Sequence, residues 1–170
     1  MFGLLKNQLN QKTLTGFFVQ PRLYNLLTIS KRIKANEGYK DRIYKDKLGN
    51  LTIGYGHLIK LDDGFSSKKK YSKKTLLKFF DADLILVISD FNNYYSKKNF
   101  SNNVQEVLIE MIYQLGINKT LMFKRFNRHI KNKLLYLAAF EMMNSRWYQQ
   151  TPKRVDKLIT ILLNNNVKKK

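Results

Sequence analysis

Residues 36–57 read N-E-G-Y-K-D-R-I-Y-K-D-K-L-G-N-L-T-I-G-Y-G-H, and the rest of the chain is organised around this stretch. Glu37 stands at the end of a helical segment, Asp46 nine residues on at a turn, and Thr52 six residues further in a glycine-bounded strand. Two acids in different settings are what hydrolysis of a glycosidic bond requires. One stays protonated to donate to the leaving oxygen, and the other stays ionised to direct a water. Glu37 and Asp46 are the candidates.

Local chemistry assigns each residue a place. Ser30 is placed as an N-cap, with residues 31–37 as a short helix stopped at Gly38. Glu37 then sits on the last turn, where the negative helix end disfavours a second negative charge and raises its pKa. Ile43-Tyr44-Lys45 and Leu51-Thr52-Ile53 read as two strands around the turn cluster Asp46-Lys47-Leu48-Gly49-Asn50, with glycine supplying a positive φ. Asp46 opens that turn in a polar setting that keeps it ionised. Gly54 and Gly56 flank Tyr55 and leave backbone that a sugar chain can approach closely. Each feature also has an ordinary structural explanation: a solvated helix end, an Asx-type turn former, a plain strand residue. Their succession, followed at once by Gly56-His57, favours the chemical one.

The segment from Glu37 through Asp46 to Thr52-Ile53-Gly54-Tyr55-Gly56-His57 resembles the catalytic segment of the T-even phage lysozymes, glycoside hydrolase family twenty-four. Two further blocks resemble that family in the same order. Tyr113-Gln114-Leu115-Gly116 is similar to its aromatic-Gln-Met-Gly helix end, and Ser145-Arg146-Trp147-Tyr148-Gln149-Gln150-Thr151-Pro152-Lys153-Arg154 to its C-terminal signature. Together the blocks cover most of residues 33–163. The resemblance implies a mainly α, α+β fold of two lobes, a small β-hairpin lobe and a larger helical lobe joined by a long helix. It implies a muramidase acting on peptidoglycan with inversion, Glu37 the general acid and Asp46 and Thr52 holding the water, with no metal or organic cofactor. Gly56, Leu58, Tyr113 and Gln114 are then the candidate substrate contacts. His57 is expected to pair with Asp83, and Arg154 with Glu37. The Arg154 pair orients the acid but lowers its pKa, opposing the helix-end effect.

Outward from these blocks the chain divides into an extension over residues 1–29, a domain over 30–164 and a basic tail over 165–170. Ser72 caps a long helix whose Leu76, Phe79, Phe80, Leu84, Val87, Ile88 and Phe91 recur at helical spacing. Between His57 and that helix lies a polar, Lys-rich loop where the family carries an additional small helix. Val104, Val107, Leu108, Met111, Ile112 and Leu115 form a second stripe ending at Gly116. Short helical turns follow around Leu121-Met122-Phe123, Phe126 and Ile130, then a buried helix from Leu134 to Met143. Thr151-Pro152 starts a last helix, with Thr at N-cap and Pro at N1, that stops at Asn164-Asn165-Asn166.

The chain has no cysteine, which excludes a disulfide framework and a thiolate metal site. Its apolar runs are far short of a bilayer span. Lys and Arg number 32 against 12 Asp and Glu, a net charge of +20 that favours polyanions such as peptidoglycan with its acidic polymers. The same Lys- and Asn-rich composition is what an AT-rich genome imposes by mutation, so charge alone does not specify a nucleic-acid partner. No helix-turn-helix, zinc or stacked-aromatic signature supports one. Residues 1–29 carry no acid and have the composition of a mitochondrial transit segment, without a secretory apolar core. The competing reading is therefore a catalytically retired structural subunit of a larger, organellar assembly, with protein partners on residues 1–29 and on the tail.

Overall fold

A computed structural model describes residues 26–46, 49–95 and 97–164. Expectations for the leader, apart from its last residues, and for the basic tail fall outside them. Helix α1 spans Leu26–Glu37, followed by strands β1 (Lys40–Lys45), β2 (Leu51–Gly54) and β3 (His57–Leu58) and a short 3-10 turn at Leu61–Asp63. Seven more helices follow: α2 (Lys73–Tyr95), α3 (Asn102–Leu115), α4 (Ile117–Met122), α5 (Lys124–Lys131), α6 (Leu135–Met143), α7 (Arg146–Gln150) and α8 (Pro152–Leu163). The expected mainly α architecture is present, with a small sheet at one end of the long α2. At 23 residues, α2 extends for roughly 34 Å.

The sheet is antiparallel in the order β1-β2-β3. Tyr44 pairs with Thr52, Thr52 with Leu58, and Ile53 with His57. Side chains directly opposite on neighbouring strands share a face, so Tyr44, Thr52 and Leu58 lie on one side and Ile53 and His57 on the other. The second side packs on α2: the His57 ring lies 4.9 Å from that of Phe79, and the Phe65 ring lies tilted against both. A register slip of one residue would exchange the faces and bury Leu58, now half exposed, in place of His57.

The core of the larger lobe surrounds α3, where Val104, Val107, Leu108, Ile109, Met111 and Ile112 are all buried. Ile29 and Ile33 of α1, Phe80 and Phe91 of α2, Phe126 and Ile130 of α5, and Val155, Leu158 and Leu162 of α8 close around it. A helix apolar on most of its circumference belongs at such a centre. Two charged groups nevertheless sit in this core, Glu110 at 0% exposure and Arg154 at 8%.

Several elements differ from the sequence-based expectation. Ser30 does not begin a helix: α1 runs through it from Leu26, because Leu26, Ile29 and Ile33 continue one apolar face. A third strand, β3, forms where none was foreseen. The polar loop after it contains the 3-10 turn, closed by Gly64 at φ 71°. Helix α6 is not buried as a whole. Only Ala138, Ala139 and Met142 are, whereas Tyr136, Leu137, Phe140 and Met143 face outward, because one stripe suffices to pack on α5 and α8. Thr151 precedes α8 as expected, but its hydroxyl donates back to the Trp147 carbonyl (3.2 Å) instead of capping the helix. Ser72, by contrast, does cap α2, accepting from the Thr75 N–H at 3.1 Å.

Candidate active site

Gly38 takes φ 72° and returns its N–H to the Lys34 carbonyl, which ends α1 at Glu37 and turns the chain into β1. The Glu37 carboxylate meets α8, where Arg154 Nη1 donates to its Oε1 at 2.6 Å. Its other oxygen faces Gly56: a Cβ built on that glycine would stand 3.0 Å from Glu37 Oε2. Gly56 also holds φ 83°, a conformation glycine alone adopts without strain. Glycine is therefore required twice over. Gly56→Ala is expected to destabilise the protein by about 1 kcal/mol or more and to displace the carboxylate; a crystal structure of the variant with Glu37 in its original position would contradict this.

Asp46 organises the hairpin turn. Its Oδ1 accepts from the Asn50 N–H at 2.8 Å and its Oδ2 from the Asn50 amide at 3.1 Å, while Gly49 at φ 86° completes the reversal. Thr52 is buried and donates its hydroxyl to the Asn50 carbonyl at 3.2 Å. A hydroxyl that has spent its proton in this way keeps lone pairs able to accept from a water. Asp46 and Thr52 are thus tied to one residue, Asn50. Tyr44, opposite Thr52 on β1, was not singled out in the sequence. Its hydroxyl is raised above the usual tyrosine value first by burial, then by the charges of Glu37 and Asp46, so both carboxylates lie within its electrostatic reach.

A cleft of about 480 Å³ opens beside Glu37, lined also by Asn36, Gln114, Thr151, Arg154 and Lys157. Asp46, Thr52, Leu58 and Tyr113 do not line this cleft. Gln114 is oriented by Trp147, whose indole N–H donates to its Oε1 at 2.9 Å. Tyr113 gives its hydroxyl to the Tyr55 carbonyl at 3.0 Å and packs on Phe80, which ties α3 to the β2–β3 turn. Its pKa is strongly raised, first by burial and then by the charges of Asp83 and Glu37. Leu58 is about half exposed on the face that carries Thr52. The three sequence blocks therefore meet through hydrogen bonds: Tyr113 to Tyr55, Trp147 to Gln114, and Arg154 to Glu37.

His57 ties the small sheet to α2 and to the 3-10 turn. Its Nδ1 lies 2.7 Å from Asp83 and its Nε2 3.0 Å from Asp63, a geometry satisfied when both nitrogens carry protons. Burial opposes that cation, but the hydrogen bonds and charges of Asp83 and Asp63 outweigh it and raise the His57 pKa. Burial likewise pushes Asp63 up, yet the Lys60 N–H at 2.6 Å and His57 bring it below the usual carboxylate range. A histidine with a raised folded pKa contributes stability that is complete below about pH 6.5 and is lost as pH rises through the folded value. Urea midpoints are expected to fall over that window in the wild type and to change less in His57→Gln. Equal slopes for both proteins would contradict the ion pair.

Asp63 was missed by the sequence reading, as were Arg32 and Glu110. Arg32 Nε donates to Glu110 at 2.6 Å and Nη2 to Glu106 at 2.8 Å. The available signal was a glutamate inside the apolar stripe of α3, with a second glutamate four residues before it.

Known proteins place the chain independently of this geometry. The family model for phage lysozyme matches residues 34–164. The chain is 30% identical to probable T4-type lysozyme 2 of Dictyostelium discoideum, over 83% of this chain and 96% of that protein. Identity to probable T4-type lysozyme 1 of the same organism is also 30%, over 79% of this chain and 93% of that one. A match across most of both lengths, joined to a helical fold with a small antiparallel sheet, leaves one assignment: the chain belongs to the phage lysozyme family.

Proposed function

We propose that the chain is a muramidase, cleaving the β-1,4 bond between N-acetylmuramic acid and N-acetylglucosamine of peptidoglycan with inversion. The observation that carries this reading is the 2.6 Å contact of Arg154 with Glu37 at the edge of the cleft, within electrostatic reach of a hairpin that holds Asp46 and Thr52 on a common partner. In this reaction the protonated Glu37 gives its proton to the glycosidic oxygen as the C–O bond breaks. Asp46 takes a proton from a water that Thr52 helps position on the opposite face of the sugar, and the water oxygen bonds to the anomeric carbon. Asp46 accepts two hydrogen bonds from Asn50, which fix its carboxylate on the hairpin turn.

The sugar chain is assigned to the surface between Leu58 and the Gly56 backbone on one side and Gln114 on the other, with Tyr113 supporting the turn from behind. His57 and Asp83 hold the hairpin against α2, and Arg154 orients the acid. The chemistry uses carboxylates and water and no cofactor. The catalytic unit on this account is residues 30–164. The test is digestion of purified bacterial cell walls followed by analysis of the new chain ends. Reducing N-acetylmuramic acid ends are the expected product. N-acetylglucosamine ends, or none, would overturn the proposal.

A further inference from the structure

Helix α6 packs through one apolar face and presents a second to solvent. Ala138, Ala139 and Met142 turn inward, while Tyr136, Leu137, Phe140 and Met143 are 77%, 48%, 56% and 45% exposed. Their spacing of one, four and seven residues from Tyr136 places them in a single stripe along the helix, away from the buried three. Isolated apolar side chains are ordinary on a surface, whereas a contiguous row of large ones marks a contact face. None of the four lines the cleft beside Glu37.

The charge around the stripe is of one sign. Across residues 124–146 the only acid is Glu141, against Lys124, Arg125, Arg128, Lys131, Lys133 and Arg146. All six cations are exposed, and none makes an ion pair among the described residues. Glu141 is half-buried, 4.0 Å from His129. A cleft of about 440 Å³ between α5 and the end of α6 has Met122, Phe123 and Phe126 in its walls together with Lys124, Arg125 and Glu141. Apolar surface rimmed by cations calls for an occupant that is apolar and negative at once.

That requirement separates the possible occupants. A second copy of the chain brings a net charge of +20 against the same rim. Residues 1–25 bring Lys6, Lys12 and Arg22 and no acid. A phospholipid surface supplies negative head groups over apolar chains across a whole plane. We propose that the hairpin of α5 and α6 docks the protein on an anionic lipid surface. The stripe of α6 enters the boundary between head groups and chains, and Lys131, Lys133 and the cations of α5 meet the phosphates. At nine residues, α6 lies on such a surface, and no described helix is long and apolar enough to cross it. Docking through this face leaves the residues of the Glu37 cleft uncovered and is independent of the muramidase reading.

The test is flotation of the full chain with vesicles of phosphatidylglycerol mixed with phosphatidylcholine, beside vesicles of phosphatidylcholine alone. Wild type is expected to float with the anionic vesicles only, and to be released as salt rises from about 0.05 to about 0.5 M. Tyr136→Ser combined with Phe140→Ser keeps every charge and is expected to weaken partitioning by about tenfold or more. Both side chains are exposed, so its melting temperature should match the wild type. Should that pair fail to fold, Lys131→Glu with Lys133→Glu reverses the rim and is expected to weaken partitioning by about tenfold or more. Wild-type binding by either double variant overturns the proposal, because the remaining charge then suffices. Equal binding to both vesicles, or binding indifferent to salt, overturns it as well. Failure to bind either vesicle overturns it in favour of an acidic protein on the stripe, and a dimer in sedimentation that the serine pair abolishes overturns it in favour of a second copy.

Discussion

Glu37→Gln is expected to lower the rate of cell-wall hydrolysis by about 10²–10⁴-fold, the usual worth of a positioned general acid. The amide oxygen can still accept the Arg154 hydrogen bond, now 2.6 Å from Oε1, so the side chain should keep its place. The circular-dichroism spectrum is therefore expected to match the wild type. Activity within about threefold of wild type would remove Glu37 from the acid role, since the loss of a general acid is worth orders of magnitude more. Equal and negligible activity in both proteins, each folded, would instead favour the retired structural subunit.

The largest expected effect on stability comes from Arg32→Ala. The substitution leaves Glu110 at 0% exposure without its 2.6 Å partner and also releases Glu106. Breaking a buried pair by deleting one member costs about 3–5 kcal/mol, because the other charge stays behind uncompensated. For a chain of this size the melting temperature should fall on the order of 10 °C. Burial raises the Glu110 pKa even with Arg32 and Arg154 pulling it back. For a carboxyl with a raised folded pKa, stability falls as pH rises from about 4.3 through the folded value. The penalty of Arg32→Ala is accordingly expected to be larger at neutral pH than at about pH 4, where the buried carboxyl takes up a proton. A melting temperature within a degree or two of wild type would show that Glu110 is compensated from elsewhere.

Helix α2, the β1–β2 hairpin, Gly38 and Gly116 were legible in the sequence because each rests on a local signal: a serine cap, a glycine at positive φ, an apolar repeat at helical spacing. The His57–Asp83 and Arg154–Glu37 contacts could be named only through the family resemblance, since they join residues 26 and 117 positions apart. Asp63 and Arg32 escaped for a related reason. Their partners are chosen by packing of separate elements, which no local pattern encodes. Helix α6 misled in the opposite direction. Its sequence is apolar except for Glu141, and a nearly all-apolar helix ordinarily means burial, yet Tyr136 and Phe140 remain more than half exposed. The start of α1 was misplaced because a serine four residues into an apolar face looks like a cap until the turn before it is seen to pack.

The central claim is that Glu37 protonates the leaving oxygen while a water held by Asp46 and Thr52 attacks the opposite face of the sugar. Proton NMR of a cell-wall oligosaccharide digest, recorded before mutarotation equilibrates the new reducing ends, tests this most directly. The account predicts the α anomer as the first product of the β-linked substrate. Initial appearance of the β anomer would contradict it, because retention requires a covalent intermediate and a nucleophile in place of the water.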